Sequence, residues 1–281
     1  VKDVPPVNTN DAEAQACQYI ARMVYDHCRI RLDDGKDMLI KARLSKHMRR
    51  LGFSSLPDYC NFLQTGADAE ELTNVIDSLT TNFTHFLREE DHFKFMVQEA
   101  LPELLGGRNK EFTLWSAASS SGEEAYSIGI YLSEYFPSYE GWNWHVSGSD
   151  ISTQVLHSAQ TAVYAMDRLK AMPEAWIRKY FDKGIGACAG KCRVKQSLTE
   201  RVSFRQINLV EPYDHERPFE IIFCRNVMIY FDRTTQEQLV RRLCQHLTPR
   251  GYLFIGGSET LQGLGLPLRC LRPSVYQKTG Y

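Results

Sequence analysis

Four apolar runs in the C-terminal two-thirds of this 281-residue chain each end on polar side chains suited to holding a small charged ligand. Phe112–Ala118 leads into Ser119-Ser120-Ser121-Gly122-Glu123-Glu124. Trp144–Ser149 ends at Asp150, Val202–Leu209 closes on Asn208 and Leu209, and Phe219–Cys224 passes straight into Arg225-Asn226. Open α/β sheets bind ligands beyond the carboxyl ends of their strands. A dinucleotide site would want G-x-G-x-x-G after the first strand, so that backbone N–H groups can approach a pyrophosphate. Only Gly122 stands there, followed by two carboxylates that repel phosphate, which disfavours NAD, FAD and ATP. A cationic, phosphate-free cofactor fits better, and S-adenosylmethionine, with an ammonium and a sulfonium, has that character. Glu124 is then expected near its amino-acid end, Asp150 at its ribose hydroxyls and Asn208 at its adenine edge. Taken singly, such residues also read as helix-dipole partners or N-caps. The set of four strand ends in order is what carries the expectation.

Two further runs bear on chemistry. Asn82, Thr84 and Arg88 alternate in the stretch that joins an N-terminal helical region to the strand-rich part. They read either as a lid over the crevice or as an ordinary linker with Phe83 and Phe86 packed beneath it. Arg225 leaves a wholly apolar strand, and a buried arginine needs an anion. That anion is a ligand carboxylate or an internal partner, namely Glu124, Glu259 or Asp232. Tyr230 follows where a substrate group would lie.

The elements that position these residues follow from periodicity. Ile20 and Val24, then Ile40, Leu44 and Met48, then Val75, Ile76 and Leu79 recur at helical spacing, with Ala16, Met23 and His27 on the same stripe as Ile20. Pro57 suits the first turn of a short third helix, which gives a four-helix domain over 11–79 behind a disordered tail over 1–10. From 112 onwards strands alternate with helices, as in a parallel sheet with helices on both faces. Thr234 and Glu237 form a capping box for a helix to about Leu247, Gly251–Ile255 is a fifth strand and Ser274–Lys278 an edge strand. Gly184, Gly186 and Gly190 break the rhythm and indicate a small β-insertion over about 180–201. The expected division is thus 11–79 helical, 80–95 linker or lid, and 96–281 sheet domain with its insertion.

Composition bounds the partners. Lys+Arg is 33 against Asp+Glu 34, a net charge of −1, so the basic excess of a nucleic-acid binder is missing. Lys36–Arg50 is a local exception, with six Lys or Arg against Asp37 alone. It reads as a docking patch for an acidic partner or as a solvated face. No apolar run is long enough to span a membrane. No secretory signal is recognised at the N-terminus. The eight cysteines, with no C-x-x-C among them, read as reduced and mostly buried thiols, and no metal is expected, Cys188 and Cys192 lacking further ligands nearby.

The runs T-T-N-F-T-H-F-L-R-E (80–89), W-S-A-A-S-S-S-G-E-E-A-Y-S-I (115–128), F-C-R-N-V-M-I-Y-F-D (223–232) and L-F-I-G-G-S-E (253–259) together resemble the chemotaxis receptor methyltransferases, collinearly from about Ala16 to Lys278. The resemblance implies an α/β, Rossmann-like S-adenosylmethionine-dependent methyltransferase domain with an all-α N-terminal domain and a small antiparallel β-subdomain. It implies methyl transfer to glutamate side chains of cytoplasmic chemoreceptor helices, leaving S-adenosylhomocysteine and γ-glutamyl methyl esters. Cofactor contacts fall on Asn82, Thr84, Arg88, Glu124, Asp150, Asn208, Leu209, Arg225 and Asn226. Arg88 and Tyr230 fall beside the reacting methyl, and Arg88 or Arg225 on a carboxylate. Some members tether a receptor C-terminal pentapeptide through G-x-G-x-x-x-G-x-x-R, which is matched by Gly184, Gly186, Gly190 and Arg193, although Ala187, Cys188, Ala189 and Lys191 have no evident part in it. The basic helix, with Lys41, Arg43, Lys46, Arg49 and Arg50, is the implied docking face for the acidic methylation region. A cytoplasmic monomer is expected, without nucleic acid or membrane insertion. The alternatives are another methyl acceptor, or a non-catalytic module that binds S-adenosylmethionine.

Overall fold

The computed structural model describes residues 9–32, 35–105, 111–136 and 141–280. Of the tail expected over 1–10, residues 1–8 lie outside the described residues, and Thr9 and Asn10 open the first helix. Contacts divide the chain into two units, residues 1–81 with 230–232 and residues 82–229 with 233–281.

In the first unit α1 (Thr9–Cys28), α2 (Asp37–Arg50), α3 (Leu56–Thr65) and α4 (Ala69–Leu79) turn apolar stripes inwards. Ile20, Val24, Ile40, Leu44, Tyr59, Leu63, Val75 and Leu79 are buried. The α1 stripe runs through Cys17 and Cys28, while His27 is exposed and Met23 half-buried beside it. Ser55 caps α3 by accepting the Asp58 N–H at 3.2 Å, with Pro57 in the first turn. Glu71 is buried but not alone. It accepts the Tyr59 hydroxyl at 2.6 Å and lies 3.1 Å from His47 Nε2, partners that offset the cost of burying a carboxylate.

The second unit runs α5 (Asp91–Phe95), a π-helical turn (Met96–Ala100), α6 (Leu101–Leu105), β1 (Glu111–Ala117), α7 (Glu123–Tyr135), β2 (Asn143–Asp150), α8 (Thr153–Thr161) and β3 (Val163–Ala165). It continues with α9 (Glu174–Tyr180), β4 (Phe181–Lys183), β5 (Lys191–Val194), α10 (Gln196–Thr199), β6 (Val202–Gln206), β7 (Phe219–Phe223), α11 (Arg233–Gln245), β8 (Leu247–Phe254), β9 (Leu268–Arg272) and β10 (Val275–Lys278). The large sheet has the order β6-β2-β1-β7-β8-β10-β9, parallel from β6 to β8 and antiparallel at β10 and β9. Strand order reverses between β1 and β7, the switch point at which such sheets open a crevice.

Alternation along β1 sends Phe112, Leu114 and Ser116 to one face and Thr113 and Trp115 to the other. The first face joins a core with Phe93, Ile128, Val146, Phe223 and Phe254, in which the rings of Phe223 and Phe254 stack at 4.5 Å. On the second face Trp115 is buried among the rings of Tyr213, His215, Phe219 and His246.

Beyond the start of α1, the structure differs from the sequence reading in five places, the first being that β6 ends at Gln206 rather than Leu209. β8 begins at Leu247 rather than Gly251, because Phe219 pairs with Leu247 and Ile221 already with Tyr252, so a bulge absorbs the residues that read as a turn. β9 was not expected. Thr234 lies inside α11 rather than capping it. The small antiparallel sheet, in the order β3-β5-β4, spans 163–194 rather than 180–201. Its first strand has three residues, too few to leave an alternating pattern, and the expected C-terminal part forms α10. All eight cysteines are free thiols, with Cys188 and Cys270 exposed and the others buried.

Candidate active site

The loop after β1 is built on residues in left-handed conformation, Ala118 at φ +89°, Ser120 at +49° and Gly122 at +93°. A Cβ on Gly122 would sit 2.9 Å from the Ala159 methyl, so glycine is required there on both counts. The loop is tied to the end of β2. Ala118 and Ser119 N–H donate to the Ser149 carbonyl (2.9 and 2.7 Å), and Ser120 N–H donates to Asp150 Oδ2 (2.9 Å). Asp150 Oδ1 accepts from Ser152 N–H at 3.0 Å. One buried carboxylate therefore organises two strand-end loops at the mouth of the crevice. Asn208 forms its own turn, with Oδ1 accepting from Val210 N–H and its carbonyl from Glu211 N–H.

Glu124 and Arg225 meet at the switch point. Arg225 Nε lies 3.1 Å from Glu124 Oε2, and Ser116 donates to Glu124 Oε1 at 2.7 Å. Burial pushes the Glu124 carboxyl up, opposed by Arg225 and Ser116. The Arg225 guanidinium is buried, donates through Nη2 to the Arg88 carbonyl (2.5 Å) and lies 5.3 Å from the Phe93 ring centre. Of the anions read for Arg225 from the sequence, the internal partner Glu124 is the one it meets in the resting protein, where a guanidinium sunk among Phe93 and Phe223 needs a fixed anion.

Of the stretch 80–95, read from the sequence as a linker or a lid, residues 82–95 are bonded into the sheet domain. Ser120 Oγ donates to the Asn82 carbonyl (3.0 Å), Arg88 Nη1 to that of Phe83 (3.0 Å) and Arg168 Nη1 to that of Thr84 (2.8 Å), while Leu87 N–H reaches Ser127 Oγ (3.0 Å). Thr84, Phe86 and Leu87 are buried, and Leu87 and Glu89 take φ values of +60° and +55°. Such strain in non-glycine residues persists only where the surroundings over-determine it.

Two site residues, Glu89 and His92, escaped the sequence reading, and a third, Glu259, is read there only as one of three internal partners for Arg225. Glu89 accepts from Asn226 Nδ2 (3.3 Å) and Gly257 N–H (3.1 Å). Burial would raise its carboxyl, yet Arg225, Asn226 and Gly257 hold it below its ordinary value. His92 Nδ1 lies 3.3 Å from Arg225 Nη1, and burial, with Arg225 beside it, lowers this imidazole to about 4, so it stays neutral and accepts. Glu259 takes four backbone N–H groups, from Asn226, Met228, Ile229 and Gly256 at 2.6–3.3 Å. Glu89 and Glu259 stand in the quoted motifs, but only their partners reveal their work.

Tyr230 ends a 3₁₀ turn (Met228–Tyr230) that starts two residues after Asn226, and its carbonyl accepts from Arg31 N–H within the first unit. In the basic helix, Arg43 is spent on the Leu79 and Thr80 carbonyls (2.8 and 2.9 Å) and Lys41 pairs with Glu13. Lys46, Arg49 and Arg50 are exposed. Gly184, Gly186 and Gly190 lie in the β4–β5 connection. Gly186 and Gly190 have φ +57° and +82°, and a Cβ on Gly184 would lie 2.1 Å from the Cys188 carbonyl, so the hairpin itself requires all three. Arg193 is exposed on β5 between Val163 and Asp182. Among the described residues no cluster of His, Cys, Asp or Glu is able to hold a metal.

A largely parallel sheet with this switch point, acidic residues at the start of α7 and a carboxylate after β2 suit a cationic, phosphate-free cofactor, the character of the S-adenosylmethionine-dependent methyltransferase class. Residues 82–275 match the family description "CheR methyltransferase, SAM binding domain" and residues 15–80 "CheR methyltransferase, all-alpha domain". The chain is 39 % identical over 246 residues to a chemotaxis protein methyltransferase of Salmonella typhimurium, covering 87 % of this chain and 83 % of the relative. It is 36 % identical to that of Borreliella burgdorferi, covering 92 % of each. Chemotaxis protein methyltransferase 2 of Pseudomonas aeruginosa is 38 % identical, covering 92 % of this chain and 91 % of the relative. A solved S-adenosylmethionine-dependent methyltransferase of Methanosarcina mazei is similar over 55 % of this chain and 56 % of its own, at 15 % identity and a TM-score of 0.32. The chain belongs to the CheR methyltransferase family. It is an S-adenosylmethionine-dependent protein methyltransferase.

Proposed function

We propose that the protein methylates glutamate side chains of chemoreceptors. The observation that carries this reading is the conjunction of a crevice built of carboxylates and strand-end loops with the collinear family match over both units. Asp150 accepts the ribose hydroxyls, Asn208 and Leu209 border the adenine, and Asn82, Thr84 and Asn226 line the mouth. Bound S-adenosylmethionine supplies an electrophilic methyl group. Arg88 orients the incoming carboxylate, and the family resemblance assigns Tyr230 to the methyl-transfer step. Glutamate, with a pKa of about 4.3, is already ionised at neutral pH, so no residue need act as a base. Positioning dominates, and near-attack alignment is worth about 7–11 kcal/mol. Glu124 and Arg225 are assigned to the amino-acid end of the cofactor, and their pairing, with the Arg88 carbonyl, keeps the site's shape in the resting protein.

Docking is assigned to the exposed part of the basic helix, Lys46, Arg49 and Arg50, against an acidic receptor surface. Arg43 and Lys41, bonded internally, contribute little, and Arg50, 3.4 Å from Glu71, contributes less than Lys46 and Arg49. The pentapeptide tether would add a strand at an open edge of the small sheet beside Arg193. The protein is read as a cytoplasmic monomer, and no helix among the described residues is long and apolar enough to cross a membrane. The test is transfer of labelled methyl to receptor-containing membranes. Label that is released by mild base marks an ester and supports the reading. Base-stable label, or none with active cofactor binding, refutes it.

A further inference from the structure

The connection from β6 to β7 passes over β2 and β1, yet residues 207–218 contain no helix. A parallel crossover normally uses a helix, which satisfies the backbone groups it carries. Here long side chains from the flanking elements take over that task. Arg242, near the end of α11, donates through Nη1 to the Leu209 carbonyl (2.6 Å) and the Glu211 carbonyl (2.9 Å). Arg205, on β6, donates through Nη2 to the Asp214 carbonyl (2.7 Å) at the far end of the loop. The Arg242 guanidinium lies 5.5 Å from the Tyr213 ring centre, and Tyr213 packs edge-on against Trp115 and stacks on His246. The guanidinium therefore meets the loop at a third point, a ring that is itself packed on Trp115 and His246.

These bonds fall on one particular bend. Asn208 gathers the amides of that bend, Val210 N–H at 3.3 Å and Glu211 N–H at 3.2 Å, while Arg242 gathers its carbonyls. The bend follows the carboxyl end of β6, next to β2, which ends on Asp150.

We propose that Arg242 is a positioning residue for the adenosine end of the cofactor site, fixing the Asn208–Leu209 bend through the Leu209 and Glu211 carbonyls. This rests on the reading of Asn208 and Leu209 as cofactor contacts. Arg242 stands on an element of no catalytic interest, and its action is on affinity for the cofactor rather than on the transfer step. Lysine keeps one charged donor but not the planar fork or the ring contact, so it restores the function in part.

The experiment compares wild type with Arg242→Ala, Arg242→Lys, Asn208→Ala and Arg205→Ala. It measures S-adenosylhomocysteine affinity by calorimetry, KM for S-adenosylmethionine and kcat at saturation, and the thermal midpoint. Arg242→Ala is expected to raise KM and the S-adenosylhomocysteine Kd together by about tenfold, the equivalent of one lost charge-assisted hydrogen bond, with kcat within about twofold. Arg242→Lys falls between, and Arg205→Ala, acting on the far end of the loop, shifts KM less than about twofold on the same scale. If Asn208→Ala weakens binding while Arg242→Ala does not, the cofactor reading stands and this proposal falls. If Asn208→Ala leaves binding unchanged, that reading falls and takes the proposal with it. Should Arg242→Ala lower kcat along with the thermal midpoint, and Arg205→Ala do the same, Arg242 is general packing and the proposal is overturned. Arg242→Lys supplies the answer if the alanine variant does not fold.

Discussion

The buried Arg225–Glu124 pair offers the sharpest physical test. Arg225 cannot shed its charge, and its side chain is 1 % exposed, so Glu124→Gln leaves a guanidinium in the core without the carboxylate 3.1 Å away. Breaking such a pair from one side costs about 3–5 kcal/mol. For a unit of this size that is a fall in thermal midpoint of roughly 6–20 °C, at about 2–4 °C per kcal/mol. Arg225→Met strands Glu124 instead, but burial already pushes that carboxyl up, and without the guanidinium it goes further. It escapes by taking a proton, so Arg225→Met should cost less than Glu124→Gln. Its penalty should also shrink on acidification, because a group whose folded pKa is raised binds protons preferentially in the folded state. The double variant removes both charges and should cost about 2–3 kcal/mol less than the sum of the singles. Urea unfolding followed by tryptophan fluorescence at pH 8 and pH 6 reads all four proteins. Additivity within about 0.5 kcal/mol, or equal costs for the two single variants at both pH values, would refute the assignment of the pair.

Other perturbations follow from the same geometry. His92 is held neutral at about 4, against an ordinary value of about 6.5, so its contribution is intact above 6.5 and is lost as pH falls towards 4. At pH 5 this amounts to about 2 kcal/mol, so the thermal midpoint of wild type should drop about 4–8 °C more than that of His92→Gln between pH 7.5 and 5.0. Identical drops would contradict it. A Cβ at Gly256 would lie 2.4 Å from Asn226 Nδ2, whereas one at Gly257 comes no nearer than 3.8 Å to Glu89. Gly256→Ala should therefore cost about 1–3 kcal/mol of stability and weaken S-adenosylhomocysteine binding, with Gly257→Ala near wild type in both. Turnover should fall far more in Arg88→Ala than in Tyr230→Phe under saturating cofactor, and equal turnover in Arg88→Ala and wild type would remove Arg88 from its role.

Much of the site was legible because it sits where one-dimensional patterns end. The apolar run Phe219–Cys224 announces a central parallel strand, and the polar residues that follow it must lie at the crevice. Asp150 and Asn208 were found in the same way. What escaped was pairing between distant side chains. The sequence leaves Glu124, Glu259 and Asp232 open as partners for Arg225 without singling out Glu124, and shows no sign that Glu259 collects four amides from two loops. The basic helix shows the same limit, since charge can be counted in sequence, but Arg43 is committed to the Leu79 and Thr80 carbonyls only in three dimensions. Short strands such as Val163–Ala165 leave too few residues for alternation to register. The sequence reading starts the fifth strand only at Gly251 because a bulge interrupts the pattern inside the strand.

Calorimetric titration with S-adenosylhomocysteine, ATP and NAD on wild type and Asp150→Ala tests the central claim most directly. One equivalent of S-adenosylhomocysteine should bind to wild type and fail to bind to Asp150→Ala, with neither phosphate-bearing nucleotide taken up. Tight uptake of ATP or NAD, or S-adenosylhomocysteine affinity untouched by loss of the Asp150 carboxylate, would contradict the placement of the methyl-donor site in this crevice.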